Sequence, residues 1–290
     1  MVLIVGCGIL GQYVLKEVLQ NTDEKVLCTY HAAKPALRFE VGERVRFRQC
    51  DVTNRGDLQA LSTLCGGERL TVFYCAAYHN IDAVFEHPRQ AHQVNVEGLE
   101  LFFETMRNID SLYFASTDCV YGESQAGSKP FCETDACAPI NEYGRQKLSA
   151  EKIVLAHGYR VFRFSLLYGA SPDKNRKSFY DKTVAALQAG EQVEMIDGLS
   201  RCAIAYAEAA KCITRLALSG ESLPPILNIC GESLMTKYEL GLLIARQCGA
   251  SAEQVEKISK EEGKKFFKDK RADCIDLSRS VTLQILMQKG

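Results

Sequence analysis

The sequence predicts a parallel, doubly wound α/β fold with a small, discontinuous C-terminal lobe, and three observations carry that prediction. Val2 to Val5 and Leu70 to Cys75 are continuous apolar runs, the pattern of parallel strands covered on both faces. Gly6-Cys7-Gly8-Ile9-Leu10-Gly11 follows the first run directly and leads into a segment with helical apolar spacing through Val14, Leu15 and Val18. Ile109 to Ala115 reads as a further strand, which runs into a polar turn and then, near Tyr143, into a helix.

The chain is long enough, at 290 residues, for a nucleotide-binding unit with a smaller lobe built onto it. Its 35 Lys plus Arg balance 36 Asp plus Glu, which argues against a general nucleic-acid surface and leaves room only for a local basic pocket. The 13 cysteines are scattered, without a CxxC pair or metal-ligand spacing, and read as small apolar residues of a reduced intracellular protein. MVLIVGCG enters a strand at once, with neither a basic leader nor a long apolar run, and no window approaches a membrane span. A cytoplasmic setting is expected. His79, His87 and His92 lack the four-residue spacing of a helical ligand pair, so no metal is expected.

Taken in order, Gly6 suits a tight turn, Gly8 lets backbone approach a pyrophosphate, and Gly11 lets the helix pack closely on the strand. The helix that begins with Ile9 and Leu10 offers unpaired N–H groups to phosphates. Val26 to Tyr30 is the second strand. Its end, through His31, has no acid to accept both ribose hydroxyls, whereas Lys34 and Arg38 follow, either as ordinary surface charges or as partners of a 2′-phosphate. NADP(H) is therefore preferred, with NAD(H) left open. Val45 to Gln49 forms a third strand, and Asp51 can cap a turn before a helix from Gly56 to Leu64. Small residues Ala76 and Ala77, ahead of Tyr78, allow a cofactor to lie close to the backbone. Leu99, Leu101, Phe102 and Met106 mark a long helix on the sheet.

The stretch from Leu112 to Lys147 organises the rest. Tyr143 and Lys147 stand four residues apart, so a helix puts a phenol and an ammonium on one face. A nearby cation lowers a phenol's pKa, which suits proton exchange with a carbonyl or alcohol. Thr117, at the end of the preceding strand, can hydrogen-bond the same oxygen.

Ser-Thr-Asp-Cys-Val-Tyr-Gly (116–122) followed by Tyr143 and Lys147 resembles the signature of the extended short-chain dehydrogenase/reductases, and within them most of all the dTDP-4-dehydrorhamnose reductase group and the related beta subunit of methionine adenosyltransferase. The resemblance covers nearly the whole chain, and it departs from the group's usual glycine pattern at Val5. It implies a Rossmann fold with residues 1–170 as the NAD(P)-binding domain and 171–290 mainly a substrate lobe, some segments returning to the core. It assigns Thr117, Asp118, Tyr143 and Lys147 to catalysis, and Lys147 also to the cofactor ribose. Asp51 and Val52 fall at the adenine, and Val94-Asn95-Val96-Glu97-Gly98 matches the helix in which Asn95 shapes backbone beside the catalytic strand. Ala76 to Asp82 resembles the AAYTxVD run, which sets Tyr78 near the nicotinamide or substrate and Asp82 on the substrate side or in a structural role. Phe179 and Arg201 match lobe positions, with Ser178 in place of the usual Asn, while Arg176 and Lys177 can steer a nucleotide diphosphate or belong to a solvated loop. The function implied is NADP(H)-dependent reduction of a 4-keto nucleotide-sugar or similar carbonyl, in a chain compatible with a homodimer. Two alternatives remain open: an NAD-dependent nucleotide-sugar epimerase, and a non-catalytic regulatory subunit.

Overall fold

The computed structural model describes residues 1–125 and 127–287, so Ala126, within the loop read from Glu123 to Ile140, lies outside the described residues. Seven strands form one parallel sheet: β1 (Val2–Val5), β2 (Val26–Tyr30), β3 (Val45–Gln49), β4 (Leu70–Tyr74), β5 (Ile109–Thr117), β6 (Arg160–Phe164) and β7 (Ile226–Ile229), in the spatial order β7-β6-β5-β4-β1-β2-β3. β1 pairs with β2 on one side and with β4 on the other, Val2 standing opposite both Val26 and Thr71. The order therefore reverses between β1 and β4, which opens a crevice beyond their carboxyl ends.

Side-chain alternation along the strands splits the core into two layers. Val2 and Ile4 pack with Val14, Leu15 and Val18 of helix α1 (Ile9–Asn21), whereas Leu3 and Val5 face Leu58 and Leu61 of α2 (Arg55–Cys65). The second layer is completed by Leu99 and Phe102 of α3 (Gly98–Thr105) and by Ala150 and Val154 of α4 (Glu142–Ala156). Burying each Leu or Val of this kind contributes about 1.5–3 kcal/mol, so both faces of the sheet are closed by hydrophobic burial. The sheet is thus doubly wound.

Two segments differ from the sequence pattern. The long helix expected through Met106 begins with a π turn at Gln93–Glu97 before α3, so the apolar spacing alone missed the extra residue that the turn absorbs. Tyr159 to Leu167 reads in the sequence as one strand, but the strand runs only from Arg160 to Phe164. Leu166 turns its carbonyl to the Ile204 N–H, and Leu167–Tyr168 pairs instead with Ile204–Ala205.

After Tyr168 the chain builds a smaller α/β lobe around α5 (Phe179–Gln188) and α7 (Lys237–Cys248), with α6 (Tyr206–Ala217) between them in the chain. Leu187, Met195, Leu240, Ile244 and Val255 form a separate lobe core, over which Val193–Ile196 pairs with Val255–Ile258. A three-stranded patch joins Met235–Thr236, Ser200–Arg201 and Cys274–Ile275. α6 packs on α1, and β7 completes the main sheet, so parts of the later chain lie against the first domain. Among the described residues no helix is long and apolar enough to cross a membrane.

Candidate active site

A continuous cavity of about 1220 Å³ spans the crevice between sheet and lobe. That volume exceeds the roughly 300–1,000 Å³ typical of a site for one small ligand. At one end lies the glycine loop. Gly6 has φ +88°, and a Cβ there would stand 2.6 Å from the backbone of Ala76. A Cβ on Gly11 would stand 2.5 Å from the Gly6 carbonyl oxygen. Both positions thus require glycine, one for the turn and one for the close approach of α1. Gly8 is the N-cap of α1 and has no side-chain capping bond, and the following Ile9 and Leu10 line the cavity. Free N–H groups at a helix start, beside backbone without Cβ atoms, fit the diphosphate of a dinucleotide.

His31, Lys34, Asp51 and Val52, assigned from the sequence to the adenosine, line the cavity at another end. Asp51 Oδ1 accepts from the Thr53 N–H at 2.9 Å and from its hydroxyl at 2.7 Å, and its other oxygen lies 3.6 Å from His31 Nε2. Burial pulls this carboxyl upward, but the Thr53 hydrogen bonds and the neighbouring imidazole outweigh it and hold the group below the usual carboxylate range. A carboxylate here repels a second anion. Lys34, read from the sequence as a 2′-phosphate partner, extends over the Phe47 ring at 5.2 Å. Ala76, Ala77 and Tyr78 continue the wall from the end of β4.

Thr117, Asp118 and Tyr143, three of the four residues assigned from the sequence to catalysis, line the same cavity, and Lys147, the fourth, lies behind its wall. β5 ends at Thr117, whose hydroxyl accepts from the Cys119 N–H at 3.2 Å and donates to Asp118 at 3.3 Å. Asp118 is 5% exposed, receives Ser165 Oγ at 3.1 Å and has Arg201 Nε at 3.7 Å. Burial raises its pKa despite these partners. Asn141 caps α4 through the Gly144 N–H at 2.8 Å, which fixes the first turn carrying Tyr143.

The electrostatics here differ from the sequence expectation. Burial and then the charges of Cys119 and Asp118 push the Tyr143 phenol well above its ordinary value, rather than a cation pulling it down. Lys147 is 1% exposed, lies over the Phe114 ring at 3.8 Å and donates to the Ala115 carbonyl at 2.6 Å. Its burial brings the ammonium down to about 7, against the opposing pull of Glu151. Glu151 carries no motif signal, yet it continues the four-residue spacing of 143 and 147 down the same helix face. It forms a buried pair with Arg163 at 2.7 Å and accepts from Ser116 Oγ.

Two other predicted residues, Asn95 and Asp82, sit off the cavity wall. Asn95, inside the π turn, is 3% exposed and lies behind the wall, accepting from the Tyr78 N–H at 2.8 Å and donating to its carbonyl at 3.1 Å. Asp82 faces the C-terminal segment, where it accepts from the Lys268 N–H at 2.9 Å, from the Asp269 N–H at 3.2 Å and from Arg271 Nη2 at 2.8 Å. Ser178 is consumed in capping α5 with Asp181. Phe179, the first residue of that helix, is 51% exposed and lines the cavity, as does Arg201.

The lobe edge adds residues that were not assigned to the site from the sequence. Phe267 lies between Lys237, 5.3 Å from its ring centre, and Arg271, at 4.9 Å, and all three line the cavity. His79 opens to the cavity too. Its burial, then the charges of Arg176 and Lys147, hold the imidazole below its ordinary value. Among the described residues no cluster of three or more His, Cys, Asp or Glu could hold a metal.

Residues 2–230 match the family described as "NAD dependent epimerase/dehydratase family". The chain is 28% identical to the methionine adenosyltransferase 2 subunit beta of Danio rerio over 255 residues, covering 84% of this chain and 72% of that one. The Thermus thermophilus UDP-glucose 4-epimerase, solved in complex with NAD, has a TM-score of 0.81 at 20% identity, over 98% of this chain and 93% of that one. A hypothetical dTDP-4-dehydrorhamnose reductase from Sulfolobus tokodaii gives 0.78 at 20% identity, over 98% and 94%. Epimerase and reductase are thus alike at this distance, and neither subgroup is singled out. The expected preference for NADP(H), and with it the NADP(H)-dependent reductase, is overturned: the matching family is NAD dependent, and an acid rather than a dedicated cation cluster sits at the adenosine end. The chain belongs to the NAD dependent epimerase/dehydratase family and is an NAD(H)-dependent oxidoreductase of the extended short-chain dehydrogenase/reductase type.

Proposed function

We propose that the chain is an NAD(H)-dependent nucleotide-sugar epimerase. The observation that carries this reading is the continuity of the cavity, in which the glycine loop and the Thr117, Asp118 and Tyr143 group share about 1220 Å³ with the cationic edge at Arg201, Lys237 and Arg271. Bound NAD(H) supplies the hydride acceptor and donor, and the protein supplies position and electrostatics. Burial holds the Tyr143 phenol protonated; the phenolate that takes the proton of the sugar hydroxyl and then returns it would be favoured by the positive charge of bound oxidised NAD. Thr117 orients the same oxygen, and Lys147 holds the ribose hydroxyls. Arg201 and Asp118 fix the sugar side, while Lys237 and Arg271 face the negative charge of the nucleotide.

The test is to incubate the purified protein with NAD and a panel of UDP- and dTDP-sugars and to separate the products. An isomerised sugar with no net change in cofactor absorbance is expected, and Tyr143→Phe should slow it by about 10²–10⁴-fold, the usual contribution of a positioned acid–base group. A second reading, a regulatory subunit, is favoured by the match to methionine adenosyltransferase 2 subunit beta. A folded, NAD-binding protein that turns over none of these sugars and forms a stable complex with a methionine adenosyltransferase catalytic subunit would replace the epimerase reading.

A further inference from the structure

We infer that Arg176 is the counter-charge for the diphosphate of the bound dinucleotide, closing from the lobe side on the loop that holds it. This rests on the NAD-binding reading above. The loop from Gly6 to Gly11 contains no charged residue, so helix-terminal N–H groups alone face two phosphate charges from that side. Across the crevice, Arg176 Nη1 lies 3.7 Å from where a Cβ on Gly8 would stand, and the side chain lines the same cavity. Among the described residues its guanidinium has no hydrogen-bond or ion-pair partner, although ion pairs engage many of the other charges on the molecule. An unpaired guanidinium beside a Cβ-free helix start is complementary to a bidentate phosphate group.

The backbone that carries Arg176 is fixed in place before any ligand arrives. Arg38 N–H donates to the Pro172 carbonyl at 2.8 Å, and Lys174 N–H to the Ala36 carbonyl at 2.8 Å. Asp173, 8% exposed, accepts at one oxygen from the Ala36 N–H at 3.3 Å and from the Asn175 N–H at 2.9 Å. The segment after β2 and the segment before α5 are thereby strapped together over the crevice. Lys174, Arg176 and Lys177 are all exposed, and of the three only Arg176 lines the cavity.

A nucleotide-sugar also carries a diphosphate, and the position over Gly8 assigns Arg176 to the dinucleotide. Calorimetric titration of wild type, Arg176→Gln and Arg176→Lys with NAD, ADP-ribose and UDP separates the two sources. NAD and ADP-ribose should each bind Arg176→Gln about tenfold or more weakly, as expected for loss of a charge-assisted hydrogen bond, with a shallower salt dependence. Arg176→Lys should recover part of the loss, and UDP should bind all three proteins alike. NAD affinity within about twofold of wild type in Arg176→Gln would overturn the inference, as would a loss confined to UDP. A wild type that binds no NAD would overturn both this inference and the reading beneath it.

Discussion

The most informative residue is Lys147, because its burial makes its protonation part of the folding equilibrium. Its pKa falls from the ordinary lysine value to about 7 in the folded chain. Between about pH 7 and the unfolded value the denatured chain therefore binds a proton that the native chain does not, and stability from this group rises with pH across that window. The contribution is complete above the unfolded value and is gone once pH has fallen through about 7. Urea unfolding from about pH 6.5 to 10 should show that rising slope in wild type and a flatter one in Lys147→Met. Identical slopes would mean that Lys147 stays charged in the fold. The pairing of Tyr143 with Lys147 was legible because helix geometry brings i and i+4 together. The sign of the tyrosine shift was not. It depends first on the burial of the phenol and then on the approach of Cys119 and Asp118, with the ammonium taken by the Ala115 carbonyl, none of which spacing encodes.

At the scale of elements, the decisive contacts join segments far apart in sequence. Asp82 reaches the Lys268 N–H across 186 positions and anchors residues 268–271 to the short helix Ile81–Glu86, with Lys268 and Glu86 forming an ion pair beside it. Two lysines of the basic segment Lys264 to Lys270 meet local acids in this way, Lys268 with Glu86 and Lys264 with Asp273. Asp82→Ala should leave the Lys268 and Asp269 N–H groups without their acceptor, at a cost of about 1–3 kcal/mol. Hydrogen exchange should then accelerate at those two amides while the β1 amides keep their protection. Unchanged exchange at Lys268 would show that the segment is held by other contacts. The strands were readable from continuous apolar runs and α1 from its glycine loop, since both signals are local. A register that ties Asp82 to Arg271 has no local signal, and of the two roles that its motif suggests, substrate side or structural, this clasp is the structural one.

For the whole molecule, the layer order followed from the first five strands, but the return of β7 to the sheet edge beside β6 did not, because residues 226–229 show the same short apolar run that a lobe strand would. That return matters: it draws the lobe back over the crevice. The strap between residues 36–38 and 172–174 gives the two ends of the cavity different walls. Away from the glycine loop the wall is made of side chains, Arg201, Lys237 and Arg271, with Arg201 held by Asp118 and the Ala272 carbonyl and Arg271 held by Asp82. At the glycine-loop end, backbone is hydrogen-bonded to backbone, Lys174 N–H to Ala36 and Arg38 N–H to Pro172, and a dinucleotide held beneath these bonds would leave once they open. Residence time of the cofactor would then be set by a local opening of the protein rather than by affinity alone. The predicted signature is kinetic: the NAD dissociation rate should match the opening rate reported by exchange of the Lys174 amide, and many sugars should be turned over per cofactor bound. A dissociation rate far above that opening rate would mean that the dinucleotide escapes by another route.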